Sequence, residues 1–143
     1  MPGQATVTIR DKQWQVSLAT APWELAQGLG GIAGIPAGTG MLFDMGWQQI
    51  IQVSTVPMLF PLDVAFFSDS MVVTEVYQNV APNHMVTSQL PARYFLEVNA
   101  GELEGIDAGD RASVELLAPA IAPLQAPNWV QAMFSFMAFA VMA

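Results

Sequence analysis

A chain of 143 residues is expected to fold as one domain that buries its own core, and without cysteine it has neither disulfides nor thiolate metal sites. Only 11% of its residues are charged, against about a quarter in ordinary soluble domains, while 53% are hydrophobic. The four cations, Arg10, Lys12, Arg93 and Arg111, are scattered against 12 acids for a net charge of -8, which argues against a nucleic-acid partner because phosphate binding needs a clustered basic face.

The start, Met1-Pro2-Gly3-Gln4, has no basic region and no apolar run before Arg10, so no signal peptide is expected in this stretch. Ala5, Val7 and Ile9, then Trp14, Val16 and Leu18 after the pair Asp11-Lys12, recur at every second position. That period of two predicts a β-hairpin with one buried face and excludes an amphipathic helix. At Thr20-Ala21-Pro22-Trp23-Glu24 an early Pro and a first-turn Glu suit a short helix carrying Trp23, Leu25 and Ala26, stopped by Gly28, Gly30 and Gly31. Six glycines and Pro36 between Gly28 and Gly40 predict a surface loop; the Gly-Lys-Ser/Thr ending and following helix of a phosphate cradle are missing.

Met41-Leu42-Phe43 is a third strand and leads to the stretch around which the chain is organised, Ile50 to Phe67. Ile50-Ile51-Gln52-Val53 and Leu62-Asp63-Val64-Ala65-Phe66-Phe67 have the composition of core strands. Pro57 and Pro61 cannot donate to a ladder, so Met58-Leu59-Phe60 between them is an edge or a crossing loop. Asp63, framed by apolar neighbours, must find donors or cost roughly 1–3 kcal/mol.

Asp69-Ser70 turns the chain, and Met71 to Tyr77 returns as the partner strand of a hairpin. Residues Asn79 to Pro91 are polar and turn-rich and hold the only histidine, His84, which without a second ligand or a nucleophile reads as a solvated loop residue. Arg93-Tyr94-Phe95-Leu96-Glu97-Val98 is a strand with Tyr94, Leu96 and Val98 on one side and Glu97 on the other. Glu102 to Asp110 gathers four acids among glycines but lacks the ligand spacing of a calcium loop, so a solvated acidic turn is expected. Arg111 to Leu116 is the closing strand.

In order, Ala21-Pro22-Trp23-Glu24 with Gly28-Leu29, Gly40-Met41-Leu42-Phe43, Pro61-Leu62-Asp63, Arg93 through Gly101, and Gly109-Asp110 resemble the bacterial and archaeal domain-of-unknown-function 192 family (DUF192) over about residues 5–117. The resemblance implies a small β-rich domain and no established activity. Family members usually carry a polar Trp-Met-Lys-Asn-Thr signature just before Pro-Leu-Asp, where this chain has Ser54-Thr55-Val56-Pro57-Met58. The methionine and arginine that commonly follow Gly-Leu give way to Gly30, Gly31 and Ile32. Asp63, Arg93 and Glu97 are what remains of the polar pattern, and the lost Lys-Asn-Thr implies a scaffold.

After Glu115 no charged residue follows. Ala118-Pro119, Ala122-Pro123 and Ala126-Pro127 predict a semi-rigid spacer over 118–128, able to reach on the order of 30 Å at ~3.1 Å per residue. Residues 129–143 are apolar on all sides, and Asn128 offers an N-cap. Trp129, Val130, Met133, Phe134, Phe136, Met137 and Phe139 would contact lipid in a membrane anchor. A helix of that length spans only about 22 Å, short of the ~20 residues a bilayer crossing needs, so the anchor would be incomplete; the alternative is a helix packed between subunits.

The expectation from sequence is therefore a mainly β (α+β), barrel-like domain over 1–117 with one short helix, then the spacer and the hydrophobic helix. Functionally this favours a non-enzymatic structural or accessory subunit at a cellular or virion membrane, with protein subunits and membrane lipid as partners, no nucleic acid and no cofactor or metal. The alternative is a small-ligand-binding domain with a pocket near Asp63, Arg93 and Glu97, and a hydrolase pairing Asp63 with His84 is a third reading. Whether Asp63, Arg93 and Glu97 converge separates the first two.

Overall fold

The period of two in the opening residues becomes strands β1 (Gly3–Ile9) and β2 (Lys12–Ala19), antiparallel in register from Gly3↔Leu18 to Ile9↔Lys12. The computed structural model describes residues 3–117 apart from 22, 23, 26 and 27. From β2 the chain crosses over and enters β3 (Thr39–Gln49) parallel to it. A parallel pair cannot be joined by a tight turn, which accounts for the length of the 20–38 connection. Within it Leu25 N–H donates to the Ala21 carbonyl and Gly28 N–H to the Glu24 carbonyl, so Glu24 and Leu25 form a helical turn. No full-length helix occurs among the described residues; Trp23 and Ala26 of the expected helix lie outside them.

The remaining strands are β4 (Gln52–Ser54), β5 (Leu62–Phe67), β6 (Val73–Val80), β7 (Met85–Thr87), β8 (Ala92–Asn99) and β9 (Ala112–Leu117). Seven of the strands form one sheet in the order β6-β5-β8-β3-β2-β1-β9, and β4 pairs with β7 in a separate ribbon. Ile50 to Val53 is thus not a core strand of the main sheet: Ile50 is half exposed, Ile51 is buried, and only Gln52 and Val53 enter the ribbon. The polar 79–91 segment, expected to be a loop, supplies the ribbon's other strand.

The sheet does not close into the expected barrel. Its outer strands β6 and β9 meet only through an isolated bridge between Val72 and Arg111 just outside them. Both faces of the middle of the sheet are nevertheless covered, and every residue of β5 is buried. On one face Val7, Val16, Leu42, Ala65, Phe67, Leu96 and Val98 pack with Leu103 and Ile106. On the other, Phe43, Val64, Phe66 and Phe95 pack under Val53 and Val86 of the ribbon and the adjoining Ile51.

Leu103 and Ile106 correct the expectation of a solvated acidic turn over 102–110. That loop plugs the first core, and Glu102 is held by Trp14 Nε1–H at 2.8 Å and Gly38 N–H at 3.1 Å. The spacer 118–128 and the hydrophobic segment 129–143, with Trp129, Val130, Met133, Phe134, Phe136, Met137 and Phe139, lie outside the described residues. Among the described residues no helix is long and apolar enough to cross a membrane.

Candidate ligand-binding site

Strand β8 lies between β3 and β5, and its alternation decides where each predicted site residue points. The β5–β8 register sets Asp63 opposite Val98 and Val64 opposite Glu97. Side chains alternate across a strand, so Asp63 faces the Val98 core and Glu97 the other. Asp63 is fully buried, and its carboxylate accepts backbone N–H bonds from Asn79 at 2.8 Å and from Gly101 and Leu103 at 2.9 Å. It ties β5 to the end of β6 and to the 101–103 turn. His84 is not among its donors; it is exposed, with Nδ1 2.9 Å from the Pro82 carbonyl.

Arg93 is also committed to structure. Its Nε donates to Asp44 Oδ1 at 3.0 Å and NH2 to Asp44 Oδ2 at 3.3 Å, Asp69 lies 3.8 Å away, and the guanidinium sits 4.9 Å from the Tyr94 ring centre. Asp44 is presented where β3 bulges, and its Oδ1 also accepts the Gly46 N–H at 2.8 Å. Asp63, Arg93 and Glu97 therefore do not converge.

Glu97 alone borders a cavity. It is 4% exposed, its Oε1 has no hydrogen-bond partner among the described residues, and burial pushes its carboxyl up to about 8. The acid is therefore mostly neutral at pH 7, which spares the fold a buried bare charge. The cavity has a volume of about 200 Å³. Phe43 and Phe95, opposite one another in the β3–β8 register, form one wall as a parallel stack with ring centres 4.2 Å apart. Leu25, Gly28 and Leu29 of the crossover form another, while Val53, Ser54 and Met58 close the ribbon side.

Two glycines shape this wall. A Cβ on Gly28, which has φ +51°, would lie 3.0 Å from Phe43 Cζ and 3.7 Å from Glu97 Oε1, so the crossover passes directly over ring and acid. A Cβ on Gly40 would run into the Glu97 carbonyl oxygen and come within 2.8 Å of Val98 Cγ1, so only glycine lets β3 approach β8 behind the acid. Glu24 fixes the crossover turn by accepting the Thr20 N–H at 3.1 Å and the Ala21 N–H at 3.2 Å.

A family profile described as uncharacterized ACR matches residues 5–114. The chain belongs to the DUF192 family. No curated protein is significantly similar to it in sequence. Among solved structures, a protein of Sinorhizobium meliloti 1021 described as a candidate transcription regulator superposes with a TM-score of 0.76 at 27% identity, over 79% of this chain and 95% of that one. A protein of unknown function from Novosphingobium aromaticivorans DSM 12444 superposes with a TM-score of 0.71 at 24% identity, over 77% and 83% of the two chains, which shows the shared fold.

The segment in which this DUF192 chain departs from the usual polar signature, Ser54 to Met58, contributes Ser54 and Met58 to the cavity. Thr55 between them is structural: its Oγ1 donates at 2.7 Å to the Ala81 carbonyl and accepts the His84 N–H at 2.8 Å. Of the cavity residues, sequence reasoning singled out only Glu97 as a binding group. The available signal was that Phe95 and Glu97 share one face of β8 while Leu96 and Val98 fill the other, which makes both faces apolar and Glu97 an acid inside a core. Among the described residues no cluster of three or more His, Asp or Glu could hold a metal ion.

Proposed function

We propose that this DUF192 domain is a small-ligand-binding module whose recognition group is Glu97. The observation that carries the reading is Glu97 Oε1, without a hydrogen-bond partner among the described residues and buried at the edge of a cavity walled by Phe43, Phe95, Leu25 and Met58. Small-molecule sites are concave and apolar, with few polar groups, and a buried acid shifted by desolvation within a cleft is a functional-site candidate. At about 200 Å³ the space suits a fragment-sized molecule. The regulator description of the Sinorhizobium neighbour would fit a ligand-responsive module, acting through protein contacts, since the cations here are few and scattered. An NMR fragment screen tests the reading: bound fragments should shift the signals of Phe43, Phe95 and Met58. Binding confined to other surfaces would contradict it.

The accessory-subunit reading keeps one observation among the described residues. Ile50, Val56, Leu59 and Met85, on or beside the β4–β7 ribbon, are each at least half exposed. Its membrane part rests on residues 129–143. Expression with and without 118–143 tests it, because a membrane-anchored protein needs detergent only when that segment is present.

A further inference from the structure

Among the described residues, the buried carboxylates Glu24, Asp44 and Asp63 all have partners, and several outer ones do too. Glu24, Asp63 and Glu75 accept backbone N–H groups, Asp44 and Asp110 each hold an arginine, and Glu102 holds Trp14 and Gly38. Among the buried carboxylates Glu97 is the exception: its Oε1 has no hydrogen-bond partner among the described residues. An unsatisfied buried acceptor is destabilising, and a ligand can relieve it by supplying the missing donor.

None of the four basic side chains supplies that donor. Arg10 is paired with Asp110, Arg93 with Asp44, Lys12 donates to the Glu102 and Glu104 carbonyls, and Arg111 reaches the Ser70 carbonyl at 3.5 Å. None of the four lines the cavity. An anionic ligand would meet Glu97 with no counter-charge and a net charge of -8 around it. A cation would meet a complementary acid and an aromatic wall.

Resting on the pocket reading, we propose that the ligand is a small organic cation, an ammonium or amidinium on an apolar body, with its charged end on Glu97 and its body against Phe43, Phe95 and Met58. The cavity volume of about 200 Å³ equals about six or seven waters of liquid, which limits the body to a short alkyl chain or one ring.

Binding then exchanges a proton. The neutral Glu97 carboxyl gives up its proton to solvent, the ligand stays protonated, and the product is an ammonium–carboxylate pair. Among the described residues no other titratable side chain lines the cavity from β3, from β4, from the 25–29 turn or from the Met58 loop. Glu24 on the same turn is spent on Thr20 and Ala21, and Asp63 faces the opposite side of the sheet. Alkylamines, with lysine-like pKa values of about 10, remain charged throughout the range in which Glu97 titrates.

The test is calorimetric and NMR titration of the full chain with butylamine, benzylamine and benzamidine, beside their neutral counterparts butanol and benzyl alcohol. The proposal expects the amines to shift Phe43, Phe95 and Glu97 signals and to release close to one proton at pH 7. Their affinity should rise by up to about tenfold per pH unit below pH 8 and level off above it. Glu97→Gln should lose amine binding while benzyl alcohol binding changes by less than about threefold. If the neutral compounds bind at these residues as tightly as the amines, with affinity falling as pH rises, the cation proposal is overturned and the pocket reading survives. If none of the five reaches Phe43, Phe95 and Glu97, both are overturned.

Discussion

Asp63 and Glu97 lie on adjacent strands, one register position apart across the β5–β8 pair, yet they face opposite sides of the sheet. Asp63 receives three backbone N–H bonds and joins three parts of the chain; Glu97 Oε1 receives none from the described residues and borders a cavity. Of these two buried acids one is spent on structure, and the proposed recognition role falls to the other.

Replacing Asp63 by Asn should be costly. An amide has one acceptor oxygen, so its NH₂ must confront either the Asn79 N–H or those of Gly101 and Leu103. Losing charge-assisted bonds in a fully buried site predicts a destabilisation of about 2–4 kcal/mol. Urea unfolding of Asp63→Asn measures it, and a change under 1 kcal/mol would show that the cluster contributes little.

Much of the fold was legible in the sequence, and the reasons are local. The alternation of Ala5 to Leu18 sets the first hairpin, the Pro57–Pro61 interruption sets a crossing loop, and the buried Asp63 announces its need for donors. What was not legible depends on pairing at a distance. Nothing in Ile50 to Val53 says that its partner is Met85 to Thr87, and strand composition cannot say whether a sheet closes. The site was half legible for the same reason: Glu97 is visible as an acid on β8, whereas Gly28 and Phe43 join it only through the crossover and the β3–β8 register. Arg93 joined it in the expected pocket only through the family's polar pattern, but Asp44 takes it.

That separation gives a second prediction. Arg93→Ala removes the bidentate contact to Asp44 and should cost about 1–2 kcal/mol of stability for a partly buried pair. Because Arg93 does not line the cavity, fragment affinity at Phe43 and Phe95 should change by less than about twofold. A tenfold loss in a variant that is still folded would place Arg93 in the site.

Gly28→Ala addresses the cavity itself. The new methyl would crowd Phe43 at 3.0 Å and force a left-handed backbone at φ +51° on an alanine. A stability loss of about 1 kcal/mol is expected from the backbone alone. Ligand affinity should fall at least tenfold because the methyl points between the ring and the acid. Unchanged affinity measured by NMR titration would mean that ligands do not pass beneath Gly28.

Glu97 should also leave a signature in stability against pH. Its folded carboxyl is raised to about 8 from an ordinary value of 4.5, so the folded state holds a proton that the unfolded chain releases. The associated stability is fully present below pH 4.5, declines as pH rises and is lost through about pH 8. Glu97→Gln, which mimics the neutral acid, should flatten this slope and unfold at higher urea than the natural chain at pH 9. A natural chain whose stability rises steadily between pH 5 and 8 with the same slope in Glu97→Gln would contradict this.

Following the Glu97 side-chain ¹³C carboxyl signal through a pH titration of the ligand-free protein tests whether this acid is buried without a partner beside the proposed ligand cavity. The account predicts a midpoint near 8, set by burial. A midpoint near the ordinary 4.5 would mean that the carboxyl is solvated or paired, and the recognition role assigned to it would fail.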